Sequence, residues 1–335
     1  MNSGAETQSW DHVRAIRGER LLRRLHRVLP LGRKYHPLLS VLNGRHGLLA
    51  IPFDNWHLVQ PASWAKQITN QLLSGIDVVP EFRLLAPLVR QLASGCLIDV
   101  GANIGLYTLL LRSVSALPII AYEPQPFLFK LLQCNIGFNR LANVDARNFA
   151  CGAKHGEVPF TIGINGSIAA GVDAGNSIAN SGGDLESEAQ VTQRGETVIN
   201  VPLTTLDEDL SGVPSISLLK IDCEGFEFDV LQGARCLIER HSPLLFLEIH
   251  PTLLGRFGHA TEEVVELLRP DYDFDFWCFD QIRLPSKLGR SIAKFRRPRG
   301  RRYETAQAML TAAGGDPRPA QIYFIGRPRG KAGVT

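Results

Sequence analysis

From residue 96 onward, short apolar runs alternate with longer segments whose apolar residues recur at helical spacing. The runs typical of buried strands are 96–101, 118–124, 144–152, 215–222, 243–250, 273–280 and 320–326. Strands that alternate with helices in this way form βαβ units, and such units assemble into a largely parallel sheet. The sequence therefore predicts an α/β fold with a mostly parallel, doubly wound, seven-stranded sheet that carries helices on both faces.

The length and composition allow one large domain with an appendage. The chain has 335 residues, of which 44% are hydrophobic, so a sizeable core can be buried. We assign residues 1–80 to an N-terminal helical and basic cap region and residues 81–330 to the main domain. No apolar run reaches the ~18 residues of a transmembrane helix, and residues 1–20 lack the apolar core of a signal peptide. Six cysteines without zinc spacing are typical of free thiols in the reducing cytosol, so we expect a cytoplasmic protein.

Charge is distributed unevenly along the chain. Residues 1–50 contain nine Lys/Arg and three acidic residues, and residues 283–302 contain nine Lys/Arg and no acidic residue. The intervening residues 51–282 contain 14 Lys/Arg and 28 acidic residues, which gives the body a charge of −14. An acidic body suits a cationic ligand, whereas basic ends attract nucleic acid, anionic lipid or an acidic polysaccharide. A solvated arginine-rich loop would explain 283–302 equally well.

One segment interrupts the alternation of strands and helices. Residues 163–200 are rich in Gly, Asn, Ser and Ala. So long an irregular insertion is uncommon in a compact domain unless it has a use or is disordered. We expect a polar insertion that forms a lid, a pair of extra edge strands or plain disordered decoration.

The first strand of the main domain leads into a glycine-containing loop. "LIDVGANIG" ends its strand at Asp99 and turns through Gly101, Asn103 and Gly105 into a helix. Ligands of such sheets bind outside the carboxyl ends of the strands, and glycine lets a ligand approach the backbone closely. Glu123, at the end of the second strand, can accept hydrogen bonds from both ribose hydroxyls. These residues predict a nucleoside-bearing cofactor.

Two features favour S-adenosylmethionine over NAD. The loop reads G-x-N-x-G rather than the dinucleotide fingerprint G-x-G-x-x-G. Asp99 would repel a pyrophosphate, whereas it would attract a sulfonium and an α-amino group.

Five segments in order resemble the FkbM-type S-adenosylmethionine-dependent methyltransferase family. They are "LIDVGANIGLYT", "AYEPQPFLFKLLQCNIGFN", "VPLTTLDEDL", "LLKIDCEGFEFDVLQGA" and "PLLFLEIH". The resemblance implies a Rossmann-like class I methyltransferase fold. It also implies O-methylation of a hydroxyl on a sugar, a glycan or a secondary metabolite.

The resemblance also implies roles for individual residues. The methionine end of the cofactor would be held by Asp99, Gly101, Asn103 and Gly105. Glu123 would bind the ribose, and Asn148 to Ala150 would lie near the adenine. The acceptors of this family favour a lipid or polysaccharide surface for the basic ends, so nucleic acid is not expected. Peripheral contact with an anionic inner membrane surface is the corresponding expectation.

Ionisable residues follow the fourth and fifth strands in pairs. Asp222 and Glu224 are two residues apart, as are Glu248 and His250, so an extended chain would point each pair the same way. We expect these four residues to be catalytic, and three uses stay open. In the first, one of the four residues removes the proton of the accepting hydroxyl. In the second, Asp222, Glu248 and His250 bind a divalent metal. In the third, the acids only bind substrate hydroxyls or Lys220.

Glu227 and Asp229 follow directly, and helix capping is the expected role for both. The function expected overall is methyl transfer to the hydroxyl of a small molecule or glycan. An NAD-dependent oxidoreductase and a non-enzymatic binder of an anionic surface are the alternatives.

Overall fold

The structure, a computed structural model, describes residues 12–28, 35–162, 177–178, 197–279, 300–314 and 321–329. The strands are β1 (Val13–Ala15), β2 (Leu48–Phe53), β3 (Trp56–Pro61), β4 (Cys96–Val100), β5 (Ile119–Tyr122), β6 (Val144–Arg147), β7 (Ala150–Cys151), β8 (Gly156–Ile162), β9 (Ser177–Ile178), β10 (Thr197–Thr204), β11 (Ile216–Ile221), β12 (Leu244–Ile249), β13 (Tyr272–Phe279), β14 (Gly300–Tyr303) and β15 (Gln321–Pro328). The helices are α1 (Glu19–Val28), α2 (His36–Asn43), α3 (Ala65–Ser74), α4 (Phe82–Val89), α5 (Leu106–Val114), α6 (Pro126–Phe138), α7 (Leu206–Asp209), α8 (Glu227–Gln232), α9 (Arg235–His241), α10 (Pro251–Arg256), α11 (Thr261–Leu268) and α12 (Ala306–Gly314).

The main sheet confirms the predicted α/β architecture. Its strand order is β14-β13-β15-β12-β11-β4-β5-β6, and the five strands from β12 to β6 run parallel. β15, β13 and β14 pair antiparallel at the other edge. The described sheet therefore has eight strands rather than the expected seven. The added strand, β14, reads GRRY and has no apolar run that would have predicted it.

Alternate residues of the central strands supply two separate cores. Leu97, Leu218 and Phe246 belong to one hydrophobic cluster, whereas Ile98 and Leu219 belong to the other. Helices α3 to α6 cover the first face, and α8, α9, α11 and α12 cover the second. Both faces are thus buried, which explains why these strands are almost continuously apolar.

The predicted third strand, 144–152, divides into two strands of different sheets. β6 lies at the edge of the main sheet, whereas β7 pairs with β10 in a second sheet of order β7-β10-β8-β9. The second sheet also takes in two pieces of the predicted insertion, residues 177–178 and 197–200. The other residues of 163–200 lie outside the described residues, as do 283–299 of the predicted basic loop.

The N-terminal region contains a sheet as well as helices. β2 and β3 form a hairpin and β1 pairs parallel with β2, so the region predicted as helical begins with a strand. The register of the hairpin pairs Leu48 with Pro61 and Phe53 with Trp56. Leu22 and Ile68 share a hydrophobic cluster with Leu109 of the main domain. No helix among the described residues has the length and apolar character needed to cross a bilayer.

Asn135 joins the N-terminal hairpin to the main domain. Its side chain accepts a hydrogen bond from the Val59 N–H at 2.6 Å and donates to the Val59 carbonyl at 3.0 Å. It also donates to the Ile104 carbonyl at 2.8 Å. Asn139, one helical turn later, binds the N–H and carbonyl of His57 in the same way, but at an exposed position.

These two asparagines give a matched test of this junction. Asn135→Ala leaves buried backbone groups unpaired, so we expect it to lower the free energy of unfolding by about 1–3 kcal/mol for each group that stays dry. Asn139→Ala should cost less than about 1 kcal/mol, because water can replace its hydrogen bonds. Denaturant titration of both variants measures the difference, and equal losses would contradict the buried junction.

Candidate functional site

The glycine loop, residues 101–105, joins β4 to α5. Gly101 has φ +75°, and a Cβ there would lie 1.9 Å from the backbone oxygen of Asp222, so a larger residue cannot fit. Asn103 is also left-handed, with φ 55°, and its side chain accepts a hydrogen bond from the next backbone N–H at 2.7 Å. Gly105 begins α5 with φ +89°. The predicted loop is therefore a fixed turn with closely approachable backbone.

Asp99 lies beneath this loop. It is 0% exposed, accepts a hydrogen bond from the Thr108 hydroxyl at 2.8 Å and forms an ion pair with the Lys220 ammonium at 3.0 Å. Lys220 also donates to the Gly101 carbonyl at 3.1 Å. Direct contact between Asp99 and a ligand stays a prediction, since the geometry shown here is that of a residue supporting the loop.

Lys220 is itself 2% exposed, so its charge depends on its neighbours. Burial acts to lower the pKa of Lys220, but Asp99 and then Asp222 outweigh burial and raise it above its ordinary value. The ammonium also lies 4.9 Å from the centre of the Tyr107 ring, a cation–π contact. Lys220 therefore stays charged beneath the loop.

Glu123 connects the glycine loop to the loop after β5. One carboxylate oxygen accepts from the Asn103 N–H at 2.8 Å, and the other accepts from the Gln125 N–H at 2.9 Å. Burial raises the pKa of Glu123 to about 7, although these two hydrogen bonds act to lower it. The predicted ribose-binding carboxylate thus lies beside the predicted loop.

The first and last residues of the segment predicted near adenine, 148–150, differ in their surroundings. The Asn148 amide donates to the carbonyls of Glu123 at 2.8 Å and Pro124 at 2.9 Å, so it lies at the same sheet edge as the glycine loop. Ala150 is 3% exposed and packs in the apolar cluster of the second sheet. Asn148 is therefore better placed than Ala150 to meet a ligand.

The four predicted catalytic residues lie together at the carboxyl ends of β11 and β12: Glu248 is the penultimate residue of β12, and the other three follow the strands. One potential ligand atom from each of Asp222, Glu248 and His250 lies within 4.8 Å of the others. His250 Nε2 is 3.7 Å from a carboxylate oxygen of Glu224 and 3.8 Å from one of Glu248. We call these four residues the acid–histidine cluster.

The expected reason for this convergence is wrong for the first pair. β11 ends at Ile221, and Glu224 lies in a turn with φ 50°, so Asp222 and Glu224 are not on one extended strand. Gly225 follows with φ +102°, and a Cβ there would lie 2.6 Å from the Leu253 side chain. The tight turn, rather than strand alternation, directs Glu224 towards His250.

Glu227 has a role that the sequence did not reveal. It was expected to cap α8, but its carboxylate is 0% exposed and lies 2.7 Å from His250 Nδ1. The same oxygen accepts from the Gly225 N–H at 3.0 Å. Glu227 therefore orients His250 and directs Nε2 into the cluster. The spacing of Glu224 and Glu227 gave no signal for this, because the contact depends on His250, which follows the next strand of the sheet.

A second buried group, around Glu81, adjoins the cluster and interacts electrostatically with Asp222 and Glu248. Glu81, 2% exposed, accepts a hydrogen bond from the Tyr107 hydroxyl at 2.7 Å. Tyr323 lies opposite Glu248 in the β12–β15 pair. Burial raises the pKa of both Glu81 and Glu248, and the Tyr323 hydroxyl only partly opposes this rise. The two tyrosines are missing from the predicted site because isolated tyrosines in apolar segments look like core residues.

The cluster holds its acids in an unusual protonation state. Burial raises the pKa of Glu224, and burial together with Asp222 raises that of Glu248 well above its ordinary range. Burial would lower the pKa of His250, but the hydrogen bond to Glu227 and the charges around it raise it well above its ordinary value. His250 is thus a cation that partly balances the acids.

The donor set offers partial support for a divalent metal. Asp222, Glu248 and His250 supply oxygen and nitrogen ligands, and a carboxylate that binds the other ring nitrogen is common at metal-binding histidines. Lys220, however, lies 3.7 Å from Asp222 and competes as a cation. His250 would have to lose its proton before it could bind a metal.

Comparison with known proteins gives the family. The model of the methyltransferase FkbM domain matches residues 99–276, which is more than half of the chain. The chain belongs to the FkbM methyltransferase family. The match contains every predicted cofactor-binding and catalytic residue, and it confirms the predicted family and the class I methyltransferase fold.

Individual relatives are more distant. Methyltransferase 1 of Beauveria bassiana (strain ARSEF 2860) is 29% identical over 143 residues, which is 41% of this chain and 57% of that protein. Methyltransferase sdnD of Sordaria araneosa is 29% identical over 153 residues, 41% of this chain and 59% of the relative. The chain thus spans less than two thirds of either relative.

Among solved structures, the alignment with the FkbM methyltransferase of Methylobacillus flagellatus KT covers 90% of this chain and 60% of that chain. It has 15% identity and a TM-score of 0.38. A likeness this distant says nothing about the site.

The raised pKa values predict that the free energy of unfolding decreases as pH rises. Burial raises the pKa of Glu81 to about 7, so the folded protein holds a proton that the unfolded chain releases near pH ~4.5. The stabilisation from this proton is present at low pH and is lost as pH rises through about 7. Glu123, Glu248 and His250 have raised pKa values and act in the same direction.

We therefore expect the free energy of unfolding to decrease from about pH 6 to about pH 8, and Glu81→Gln to remove roughly 1 kcal/mol of that decrease. Glu262→Gln, at an exposed position of α11, is the control and should leave the pH dependence unchanged. Denaturant titrations at several pH values measure both. A Glu81 variant with the same slope as the parent would contradict the buried, protonated carboxyl.

Proposed function

We propose that this protein transfers a methyl group from S-adenosylmethionine to a hydroxyl of a sugar, a glycan or a secondary metabolite. One observation carries the proposal: the fixed glycine loop, bonded to Glu123, lies on the strands next to those that carry the acid–histidine cluster. A donor-binding half and a proton-handling half therefore share one edge of the sheet. Family membership supports methyl transfer, whereas the hydroxyl acceptor rests on the chemistry of the cluster.

The donor half fits the cofactor in its residues and its charge. The backbone of Gly101 to Gly105 would hold the methionine end, and Glu123 would accept hydrogen bonds from the ribose hydroxyls. Asn148 would border the adenine. S-adenosylmethionine, when bound, supplies an electrophilic methyl on a sulfonium. The acids of the site attract this positive charge, and Lys220 fixes the loop from below.

The acceptor half can take the proton that the hydroxyl loses. Asp222 and Glu248 present carboxylate oxygens towards one point, and His250 Nε2 lies 3.8 Å from the Glu248 carboxylate. A raised pKa makes the ionised form of Glu248 a stronger base than an ordinary carboxylate. The His250 cation, held by Glu227, would stabilise negative charge that develops on the acceptor oxygen.

Alignment supplies most of the acceleration in this account. In-line displacement needs the hydroxyl oxygen, the methyl and the sulfonium on one line, and such positioning can contribute about 7–11 kcal/mol. Proton removal typically adds about 10²–10⁴-fold. Loss of the loop should therefore abolish activity, whereas loss of a single acid should leave a measurable rate.

A metal-assisted variant of this reaction is the second candidate. It is favoured by the three converging donor atoms of Asp222, Glu248 and His250. A divalent cation there would lower the pKa of the accepting hydroxyl. The cation would also neutralise the negative charge of the acids in place of protonated His250, so His250 would bind it as the neutral imidazole. Chelator-sensitive transfer restored by Mg²⁺ or Mn²⁺ would support this variant over direct proton removal.

Ligand binding tests the donor half directly. We expect S-adenosylhomocysteine to raise the melting temperature and to bind in calorimetry, and NAD to do neither. Gly101→Ala should lose this binding, because its Cβ meets the Asp222 backbone. Gly212→Ala, where a Cβ meets nothing within 4 Å, is the matched control. Because Gly101→Ala also strains the fold, Glu123→Gln is a second variant and should bind more weakly without unfolding. Stabilisation by NAD alone would overturn the proposal.

Turnover of labelled methyl groups tests the acceptor half. With glycan and metabolite extracts as acceptors, we expect Asp222→Asn and Glu248→Gln each to lower the rate by about 10²–10⁴-fold. Binding of S-adenosylhomocysteine should be unchanged in both. Glu239→Gln, on the exposed side of α9, should keep the parental rate. Full turnover in both acid variants would show that neither takes the proton.

A further inference from the structure

Exposed apolar side chains are concentrated in the first two helices. Among the described residues, Val28 is 86% exposed, Leu21 47% and Leu25 37% in α1, and Val41 of α2 is 81% exposed. Most large apolar residues of a folded chain are buried, so a run of exposed ones on a single helix indicates an interaction surface. Nothing in the donor or acceptor half of the site uses this helix.

The exposed residues of α1 form two parallel stripes. Leu21, Leu25 and Val28 are spaced four and three residues apart, so they share one helical face. The exposed Arg20, Arg24 and Arg27 each precede one of them by a single position, and therefore form a second stripe about 100° around the helix. An apolar stripe edged by arginines results; we call it the α1 face.

The helix that carries the α1 face is fixed to the rest of the protein by packing and by hydrogen bonds. Leu22, on the other side of the apolar stripe, is 0% exposed and packs in the core shared with the main domain. The Arg17 N–H donates to the Asn43 side chain at 2.7 Å, and Asn43 donates back to the Arg17 carbonyl at 3.1 Å. The helix thus presents its outer face on an ordered support.

The surrounding charge is almost entirely positive. Residues 12–46 contain a single acidic residue, Glu19. That carboxylate is already engaged by Arg23 at 2.8 Å, which leaves the arginine stripe without an acidic neighbour on α1. Positive charge beside an exposed apolar stripe is complementary to a surface that offers anions above an apolar layer.

We propose that the α1 face binds an anionic membrane surface, with the apolar stripe entering the headgroup boundary and the arginines contacting lipid phosphates. A lipid surface fits better than a second copy of this chain. Two copies joined through the same face would bring their arginine stripes together, and three apolar side chains bury far less than the ~1,000 Å² of a stable protein interface. Interfacial helices combine apolar and basic residues in this way.

Vesicle binding of the full chain tests the proposal. We expect flotation with phosphatidylcholine vesicles that contain about 30% phosphatidylglycerol, little flotation with pure phosphatidylcholine, and weaker binding at high salt. Replacing Leu21 and Leu25 with Ser should lower partitioning roughly tenfold. Replacing Arg20, Arg24 and Arg27 with Gln should lower it roughly fivefold for each arginine removed. All these positions are exposed, so thermal unfolding should be unchanged.

Matched controls carry the same changes elsewhere. Val198→Ser removes an exposed apolar residue from β10. Replacing Arg235, Arg240 and Arg269 with Gln removes two exposed charges from α9 and one that directly follows α11. Both controls should bind vesicles like the parent. Every variant retains the basic segment 283–302, so a loss of binding is attributable to α1. The proposal is overturned if the α1 variants float with vesicles like the parent protein. It is also overturned if the parent does not bind vesicles and Leu25→Ser dissociates a dimer in analytical ultracentrifugation.

Discussion

The buried ion pair between Asp99 and Lys220 is the interaction on which the site depends. The two residues are direct neighbours in the pairing of β4 with β11, and both are almost completely buried. A buried pair gains little net stability, but removing one partner typically costs about 3–5 kcal/mol because the other charge is left uncompensated. Its main effect here is positional. Lys220 holds the Gly101 carbonyl from below and lies 3.7 Å from Asp222, so one cation fixes the glycine loop and the first acid of the cluster together.

The charges of the site then follow from its burial. Glu81, Glu123 and Glu248 all have raised pKa values because they are removed from water among other acids, and Lys220 and His250 are the cations that oppose them. In the proposed reaction a positively charged donor enters this acidic edge, and a proton must leave the acceptor nearby. A site with more acids than cations favours both events. The same imbalance explains why the protein without ligand should become less stable as the acids ionise.

Much of this arrangement could be predicted from the sequence, for identifiable reasons. Apolar runs such as 96–101 and 243–250 give the buried strands, and parallel strands bring Asp99, Glu123 and Asp222 to one edge. Contacts between distant segments could not be predicted in this way. Glu227 looks like a capping residue until the structure places His250 beside it, and the split of 144–152 depends on pairing with a strand fifty residues later. Lys220 did carry a signal, since a lysine inside a buried strand requires a partner on a neighbouring strand.

The most direct measurement is a crystal structure of the protein soaked with S-adenosylhomocysteine. We predict density along residues 101–105, with the ribose hydroxyls at the Glu123 carboxylate and the sulfur facing the acid–histidine cluster. Density at another place, or none at saturating ligand, would contradict the claim that this sheet edge binds the methyl donor.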